Sequence, residues 1–213
     1  MRRGMKLGLY LVTDERLSRG RQTAEIVRAA IRGGVDAVQL RGKDLPMSEQ
    51  VAIGRALRQI TREAGVLFIV NDRADLAVAL DADGVHVGQD DLPADLARLV
   101  VGPGRIVGVS AATIPEALAA RDAGADYLGV GAIFGTATKS DAGEPTGPAL
   151  LGTIAGAVAL PLVGIGGINA SNAAEVIAAG ASGVAVVSAI VAADDPEEAA
   201  RALKRLIGGA GRR

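Results

Sequence analysis

A short apolar stretch of the chain ends in the alternating segment Gln39-Leu40-Arg41-Gly42-Lys43. Because alternate side chains of a strand point to the same side, the carboxamide of Gln39, the guanidinium of Arg41 and the ammonium of Lys43 can converge on one ligand. These donors suit phosphate oxygens, and together they favour a polyanion such as pyrophosphate. The alternative is that Arg41 and Lys43 only meet solvent at the end of the strand.

Carboxylates follow the next two apolar stretches. Asp72 follows Leu67–Asn71, and Asp90 and Asp91 follow Gly84–Val87. Two carboxylates on neighbouring strands can hold one Mg²⁺ together with substrate oxygens and water. They can equally form structural ion pairs with nearby basic residues, and the pattern does not separate Asp90 from Asp91 as the second ligand.

The segment Gly131–Gly147 has neither a helical nor a strand period and lies between an apolar run and a helical pattern. It supplies small hydroxyl side chains, a glycine-rich backbone and the ammonium of Lys139. Long loops in compact domains are often functional, and these groups suit an anionic ligand. A solvated surface loop is the alternative.

The composition excludes several kinds of chemistry. The 213-residue chain has no cysteine and a single histidine, His86, which excludes disulfides, thiolate nucleophiles and multi-histidine metal sites. A net charge of -1 gives no global electrostatic case for binding nucleic acid or an anionic membrane. The apolar runs are shorter than a bilayer span, and the basic N-terminus leads into a short strand-like run without a cleavage site. We therefore predict a cytoplasmic protein without a signal peptide.

Short apolar runs of strand type alternate with helical patterns along the whole chain. The predicted strands are Leu7–Thr13, Ala37–Arg41, Leu67–Asn71, Gly84–Val87, Ile106–Ser110, Tyr127–Gly131, Leu162–Ile165 and Gly183–Val187. The predicted helices lie near Thr23–Arg32, Ser48–Ala64, Ala74–Leu80, Ala94–Val100, Ile114–Ala123, Pro148–Ala157, Asn172–Ala179 and Pro196–Ile207. This order favours a single-domain (β/α)8 TIM barrel over 1–213, an α/β fold whose strands are buried on both faces. An open flavodoxin-like or Rossmann sheet is the alternative but needs fewer strands, and residues 208–213 are predicted to be a disordered tail.

Such a barrel carries its chemistry where the strands end and the βα loops begin. Gly166-Gly167 after the seventh strand and Val187-Ser188-Ala189 after the eighth occupy the usual phosphate site of the fold. His86 lies within an apolar strand, which favours a hydrogen-bonded core histidine over a catalytic base.

Several motifs follow one another in register along nearly the whole chain. They are Tyr10-Leu-Val-Thr-Asp14, Gln39-Leu-Arg-Gly-Lys43, Val70-Asn-Asp72, Asp83-Gly-Val-His-Val-Gly-Gln-Asp-Asp91, Gly108-Val-Ser110, Thr136-Ala-Thr-Lys139, Gly164-Ile-Gly-Gly-Ile168 and Val187-Ser-Ala-Ile190. Together they resemble the motifs of the thiamine phosphate synthase, or thiamine-phosphate pyrophosphorylase, family. The resemblance implies condensation of 4-amino-2-methyl-5-(diphosphooxymethyl)pyrimidine with 4-methyl-5-(2-phosphooxyethyl)thiazole, or its carboxylated form, to give thiamine phosphate and pyrophosphate. It further implies Mg-assisted loss of pyrophosphate and attack of the thiazole nitrogen on a pyrimidine cation.

The resemblance also implies roles for the residues at matching positions. The pyrimidine diphosphate would be bound by Gln39, Leu40, Arg41, Gly42, Lys43, Asn71, Ser110 and Lys139. The thiazole and its phosphate would be bound by Thr136, Ala137, Thr138, Gly167, Val187 and Ser188. Asp72 and Asp91 would hold Mg²⁺, and the segment 140–147 would close over both substrates. The partners implied are these two small phosphorylated substrates, while formation of a homo-oligomer is left open.

Two positions depart from the family pattern. Residue 42 is glycine where the family often has glutamate, and Ala112 stands where many relatives carry histidine. The related thiazole tautomerases use a histidine in that region for proton transfer, so Ala112 disfavours an isomerase of that type. A non-catalytic barrel that binds thiamine phosphates is a further alternative, but it would not require both Asp72 and Asp91.

Overall fold

Eight short parallel strands pair in the order of the chain and close into a barrel, with helices between them. The computed structural model describes residues 5–136, 138 and 143–210. The strands are β1 Leu9–Val12, β2 Ala37–Leu40, β3 Leu67–Asn71, β4 Gly84–Val87, β5 Ile106–Ala111, β6 Tyr127–Val130, β7 Leu162–Ile165 and β8 Gly183–Val186. The helices are α1 Thr23–Arg32, α2 Met47–Ala64, α3 Ala74–Ala79, α4 Ala94–Val101, α5 Ile114–Asp122, α6 Ala149–Ala157, α7 Ala173–Ala178, α8 Ser188–Val191 and α9 Pro196–Ala210. The predicted single-domain (β/α)8 TIM barrel is confirmed.

The strands are apolar on both faces because each face packs into a different core. Residues such as Leu11, Val38 and Phe68 point outward and pack with the helices. The alternate residues, such as Tyr10 and Ile69, point inward and fill the barrel. The outer core consists mainly of aliphatic residues, as a composition with 2% aromatics requires.

Most helix boundaries agree with the prediction to within one residue, and the differences lie in short or terminal pieces. A 3₁₀ turn at Glu15–Leu17 and the four-residue helix α8 are too short to show a period in the sequence. The last helix continues through Ala210, so the first three residues of the predicted tail are helical. Ile207 is 7% exposed, and its burial extends the packed face of α9 towards this end. None of the helices in the described ranges has the combined length and apolar character needed to cross a bilayer.

Aspartates tie three pairs of strands together at the amino ends of the strands. The carboxylates of Asp36, Asp83 and Asp126 accept the backbone N–H of Leu9, Phe68 and Val107 at 2.8, 2.8 and 2.9 Å. The same carboxylates pair with Lys204, Arg58 and Arg98 respectively. Ser182 holds the matching place before β8, where its backbone N–H donates to the carbonyl of Leu162 at 2.8 Å. Within the described part of the chain, the pair β7–β8 therefore has no carboxylate at this position.

Candidate active site

The carboxyl ends of the strands surround a cavity of about 190 Å³, to which all eight strands contribute. The predicted site residues in its wall are Gln39, Arg41, Lys43, Asn71, Asp72, Asp91, Ser110, Thr136, Thr138, Gly167, Val187 and Ser188. Leu40 and Gly42 do not line the cavity. Leu40 points outward into the core between strands and helices. Ala137 and Lys139 lie outside the described residues, as do the first three residues, 140–142, of the segment predicted to act as a lid.

One side of the mouth, which we call the charged side, is formed by Gln39, Arg41, Lys43, Asn71, Asp72 and Asp91. Arg41 lies just after β2, where its backbone N–H donates to the hydroxyl of Thr13 at 3.1 Å. Its guanidinium donates to the carboxylate of Asp14 at 2.9 Å. Both side chains are well buried, at 12% and 3% exposed, so the guanidinium is held in one orientation at the cavity wall.

Asp14 also holds a second arginine that the sequence did not single out. Arg16 donates to the two carboxylate oxygens of Asp14 at 3.3 and 3.1 Å. Burial opposes ionisation of Asp14, but the hydrogen bonds and charge of Arg16, with the charge of Arg41, hold the pKa of Asp14 below its usual value. Arg16 further reaches Asp44 at 3.4 Å and the carbonyl of Thr138 at 3.4 Å. This exposed side chain thus links the loops after β1, β2 and β6.

Asp72 and Asp91 form a carboxylate pair at the mouth. Asp72 follows β3 with a φ of 61°, a left-handed conformation that aspartate and asparagine adopt more readily than other side chains. Burial, with the hydrogen bond to Asp91 and the charge of Asp91, raises the pKa of Asp72 to about 7, although Lys43 and Arg41 oppose the change. Asp91 accepts the backbone N–H of Gly88 at 2.7 Å, which orients it towards the pair.

The structure separates the two aspartates that the sequence left equal. Asp91 lines the cavity, whereas Asp90 is exposed and does not. In the described ranges, no three histidine or acidic side chains lie close enough to hold a metal ion by themselves. The pair therefore fits a hard cation only if substrate oxygens and water complete its coordination, which is how Mg²⁺ is usually held.

The opposite side of the mouth, the glycine side, consists of Thr136, Thr138, Gly166, Gly167, Val187 and Ser188. The backbone of Gly166 and Gly167 has φ values of 101° and 64°. A Cβ on Gly167 would lie 2.5 Å from the carbonyl oxygen of Gly135, so both the turn and its contact with the β6 loop require glycine. The hydroxyl of Thr136 accepts the backbone N–H of Thr138 at 3.2 Å.

The ends of the β6 loop are fixed to the barrel. The backbone N–H groups of Ile133 and Phe134 donate to the carbonyls of Ile165 and Gly166 at 2.9 and 3.1 Å. At the far end, the backbone N–H of Thr146 donates to the carbonyl of Ala132 at 2.8 Å. The loop thus extends the sheet next to β7 before it returns to α6.

A hydrogen-bond chain of five side chains crosses the floor of the cavity. The amide nitrogen of Gln39 donates to the hydroxyl of Tyr10 at 2.9 Å, and the hydroxyls of Tyr10 and Tyr127 are 3.0 Å apart. The hydroxyl of Tyr127 is 2.9 Å from Nδ1 of His86, and Nε2 of His86 is 3.0 Å from the hydroxyl of Ser110. His86 is thus hydrogen-bonded at both nitrogens, as predicted, but it also lines the cavity.

Two glycines make room for this floor. A Cβ on Gly108 would lie 2.5 Å from the hydroxyl oxygen of Tyr127, and one on Gly129 would lie 2.9 Å from Cε1 of His86. Tyr10 and Tyr127 are the only tyrosines in the chain, and each stands on an inward position opposite a small residue, Ala37 and Gly108. Rare polar aromatics on inward positions beside small residues are the signal that sequence reasoning passed over.

In sequence, this chain is similar to known proteins of one family. A family model described as thiamine monophosphate synthase matches residues 9–190. A thiamine-phosphate synthase from Roseiflexus sp. (strain RS-1) is 56% identical over 202 residues, which is 95% of this chain and 86% of the relative. One from Moorella thermoacetica is 56% identical over 199 residues, covering 93% of this chain and 95% of the relative.

A solved structure is similar over nearly the full length. The thiamine phosphate pyrophosphorylase from Pyrococcus furiosus has a TM-score of 0.89 and 43% identity, with 96% of this chain and 97% of that chain covered. The family match begins at the first residue of β1 and ends within α8, so it includes the charged side, the glycine side and the floor. The chain belongs to the thiamine monophosphate synthase family.

Proposed function

We propose that this member of the family condenses the aminopyrimidine diphosphate with the thiazole monophosphate, giving thiamine phosphate and pyrophosphate. The observation that carries the proposal is the pairing of two different anion-binding surfaces around one cavity. The charged side offers a guanidinium, an ammonium and two carboxylates, whereas the glycine side offers backbone donors and hydroxyls. A reaction that joins two phosphorylated substrates needs both surfaces within reach of one another.

The charged side is suited to the pyrimidine diphosphate. Arg41, held by Asp14 at 2.9 Å, presents a fixed guanidinium, and Lys43 adds a second positive charge at the cavity wall. The pyrimidine ring would then lie over the floor, within reach of Gln39 and Ser110, and Asn71 lines the same cavity. By family resemblance Lys139 joins this set, although it lies outside the described residues.

Asp72 and Asp91 are suited to a Mg²⁺ ion shared with the diphosphate. The raised pKa of Asp72 means that two full negative charges on the carboxylate pair are unfavourable in the metal-free site. A divalent cation would stabilise the fully ionised pair. When bound, Mg²⁺ supplies charge neutralisation for the departing pyrophosphate. The charges of Lys43 and Arg41 oppose the rise in the pKa of Asp72, so they act on the same region as the proposed cation.

The glycine side is suited to the thiazole phosphate. The left-handed backbone at Gly166 and Gly167 leaves no side chain between the β7 turn and a bound phosphate. Ser188 and Thr136 contribute hydroxyls to the same wall. We propose that the thiazole phosphate enters at this side, either with or without a carboxylate on its ring.

The proposed reaction is a substitution at the exocyclic methylene of the pyrimidine. The bond between that carbon and the diphosphate oxygen breaks, and its electron pair leaves with pyrophosphate. The lone pair of the thiazole nitrogen then forms the new carbon–nitrogen bond, so no proton is transferred in this step. The chain's task is to align the two partners, neutralise the leaving group and limit water at the cation.

The test is pyrophosphate release from purified protein given both substrates, with Mg²⁺ or with a chelator. We expect equal amounts of pyrophosphate and thiamine phosphate with Mg²⁺, and a large loss of rate with the chelator. No release under either condition would refute the synthase proposal and leave a non-catalytic binding barrel. An isomerase of the tautomerase type is not favoured, because Ala112 does not line the cavity and its backbone N–H donates to Glu116 at 2.7 Å.

A further inference from the structure

We propose that Tyr10, Tyr127 and His86 are positioning residues that fix the donor-to-acceptor direction of the hydrogen bonds along the floor of the cavity. They keep Gln39 as an acceptor and Ser110 as a donor towards the bound heterocycle. The proposal rests on the proposed function, because it assigns the recognition of the amino-substituted pyrimidine edge to this chain of side chains. None of the three residues needs to touch the reacting atoms.

The two tyrosines of this hydrogen-bond chain are neutral phenols. Both are buried, Tyr10 at 2% and Tyr127 at 0% exposed. Burial raises the pKa of Tyr10 and of Tyr127 well above the usual value for a phenol. Each hydroxyl therefore carries one proton at neutral pH, so each can donate one hydrogen bond while it accepts another.

In the proposed arrangement, the hydrogen bonds all run in one direction, from Gln39 to Ser110. In the proposed direction, the amide nitrogen of Gln39 donates to Tyr10 and the proton of Tyr10 points to Tyr127. The proton of Tyr127 then points to Nδ1 of His86, which accepts it. A neutral imidazole that accepts at Nδ1 carries its proton on Nε2, and this N–H donates to Ser110.

Gln39 and Ser110 stand at the two ends of this hydrogen-bond chain. One N–H of the Gln39 amide donates to Tyr10, which fixes the orientation of the amide, and its carbonyl oxygen is the proposed acceptor at this end. The hydroxyl oxygen of Ser110 accepts from His86, which leaves its own O–H as the donor at the other end. Both residues line the cavity, so an acceptor and a donor face the ligand from two sides of the floor.

This pattern complements an aminopyrimidine. Its exocyclic amino group donates, which matches the acceptor of Gln39. The adjacent ring nitrogen accepts, which matches the donor of Ser110. The corresponding 4-oxo pyrimidine reverses both groups, since its carbonyl accepts and its ring N–H donates. A buried site built for one pattern rejects the other strongly because its own polar groups are left unpaired. We therefore expect at least about a 100-fold preference for the amino form.

The direction of these hydrogen bonds can be measured without any ligand. His86 is the only histidine in the chain, so a spectrum of protein labelled with ¹⁵N at histidine reports a single ring. We expect the Nε2–H tautomer in the unsubstituted protein. Tyr127→Phe removes the donor to Nδ1 and should give a mixture of tautomers, whereas Tyr10→Phe leaves that donor in place and should not. The Nδ1–H tautomer in the unsubstituted protein, or an unchanged spectrum in Tyr127→Phe, would overturn the proposal.

The second test measures recognition in the same variants. The quantity is the ratio of the affinity for the aminopyrimidine diphosphate to that for its 4-oxo analogue. We expect this ratio to fall at least about tenfold in Tyr127→Phe, because Ser110 can then turn to either role. Affinity for inorganic pyrophosphate with Mg²⁺ is the control and should stay unchanged, since it depends on the charged side.

A merely structural role for Tyr127 would weaken both pyrimidines alike and leave their ratio unchanged, which would overturn the proposal. Thermal unfolding of each variant shows whether it is folded at the assay temperature. Failure of the proposed function is distinguishable, because it would appear as absence of pyrophosphate release in the unsubstituted protein. The tautomer of His86 would still be read in that case.

Discussion

The two sides of the cavity mouth bind anions by different means. On the charged side, Arg41, Lys43, Asp72 and Asp91 project ionisable side chains from the loops after β2, β3 and β4. On the glycine side, Gly166 and Gly167 bring the backbone itself to the cavity wall, supported by direct contact with the β6 loop. The difference fits the two anions proposed, because one must leave with its charge neutralised and the other stays attached to its ring throughout.

We expect substitutions on the two sides to have different effects on turnover and stability. Side-chain charges can be removed without disturbing the fold, so changes on the charged side should alter turnover and leave stability nearly intact. A backbone surface cannot be changed without changing the turn that presents it. Substitutions on the glycine side should therefore alter stability and binding together.

The largest effect is expected for Asp72→Asn. Asparagine tolerates the left-handed backbone at this position and removes only the charge. We expect turnover to fall by about 1,000-fold or more, because the departing pyrophosphate loses its charge neutralisation. The matched control is Asp90→Asn, an exposed neighbour outside the cavity wall, which should keep nearly full activity. Turnover in Asp72→Asn within tenfold of the unsubstituted enzyme would remove Asp72 from the metal site.

The next effect is expected for Arg41→Lys. The change keeps the positive charge but loses the planar fork that Asp14 orients at 2.9 Å. We expect kcat/KM for the pyrimidine diphosphate to fall by about 10- to 100-fold, the effect of losing a charge-assisted hydrogen bond. The KM for the thiazole phosphate should not change. Arg73→Lys, whose side chain pairs with Asp75 outside the cavity, is the control, and equal losses in both variants would contradict the prediction.

A smaller and different effect is expected for Gly167→Ala. The added methyl meets the carbonyl oxygen of Gly135, and the φ of 64° is unfavourable for alanine. We expect a loss of about 1–2 kcal/mol in the free energy of unfolding, together with a higher KM for the thiazole phosphate. Gly152→Ala makes the same chemical change in helix α6, where it should leave stability equal or slightly higher. A Gly167→Ala protein of unchanged stability would contradict the account of the turn.

The smallest effect is a pH dependence of stability on the charged side. In the folded, metal-free protein the pKa of Asp72 is raised to about 7, above the value of an unfolded aspartate. The folded state therefore binds the proton more tightly, and stability falls as pH rises from about 4 through 7. With chelator at pH 8, Asp72→Asn should unfold about 2–4 °C above the unsubstituted protein, since solvent screens this half-buried pair. The difference should shrink at pH 5, and a difference independent of pH would refute the assignment.

The barrel and most of its mouth were predictable from the sequence. Buried parallel strands are short apolar runs, and polar residues directly after them, such as Asp72 and Ser110, lie at the functional rim for topological reasons alone. The alternation of Gln39 and Arg41 with Leu40 likewise anticipated which side chains line the cavity. These inferences depend on the local hydrophobic period and on the order of the strands, and the amino-acid sequence contains both.

The floor of the cavity was not predictable in the same way. Tyr10 and Tyr127 are 117 residues apart, so their hydrogen bond depends on barrel closure and register. His86 looked like a core residue because its neighbours Val85 and Val87 are apolar, and it is indeed satisfied, but on the wall of the site. Arg16 was passed over because a single exposed arginine in a loop carries no pattern, although it contacts residues after β1, β2 and β6.

The aspartate ties at the amino ends of the strands divide the barrel into four successive pairs of strands. Three pairs are tied, and β7–β8, with Ser182 in place of the acid, is not. Local opening should therefore begin in this last quarter, so its amide hydrogens should exchange with solvent before those of β2, β4 and β6. The turn that carries Gly166 and Gly167 belongs to the same quarter. Entry of the thiazole phosphate would then take place on the part of the barrel that opens locally most often.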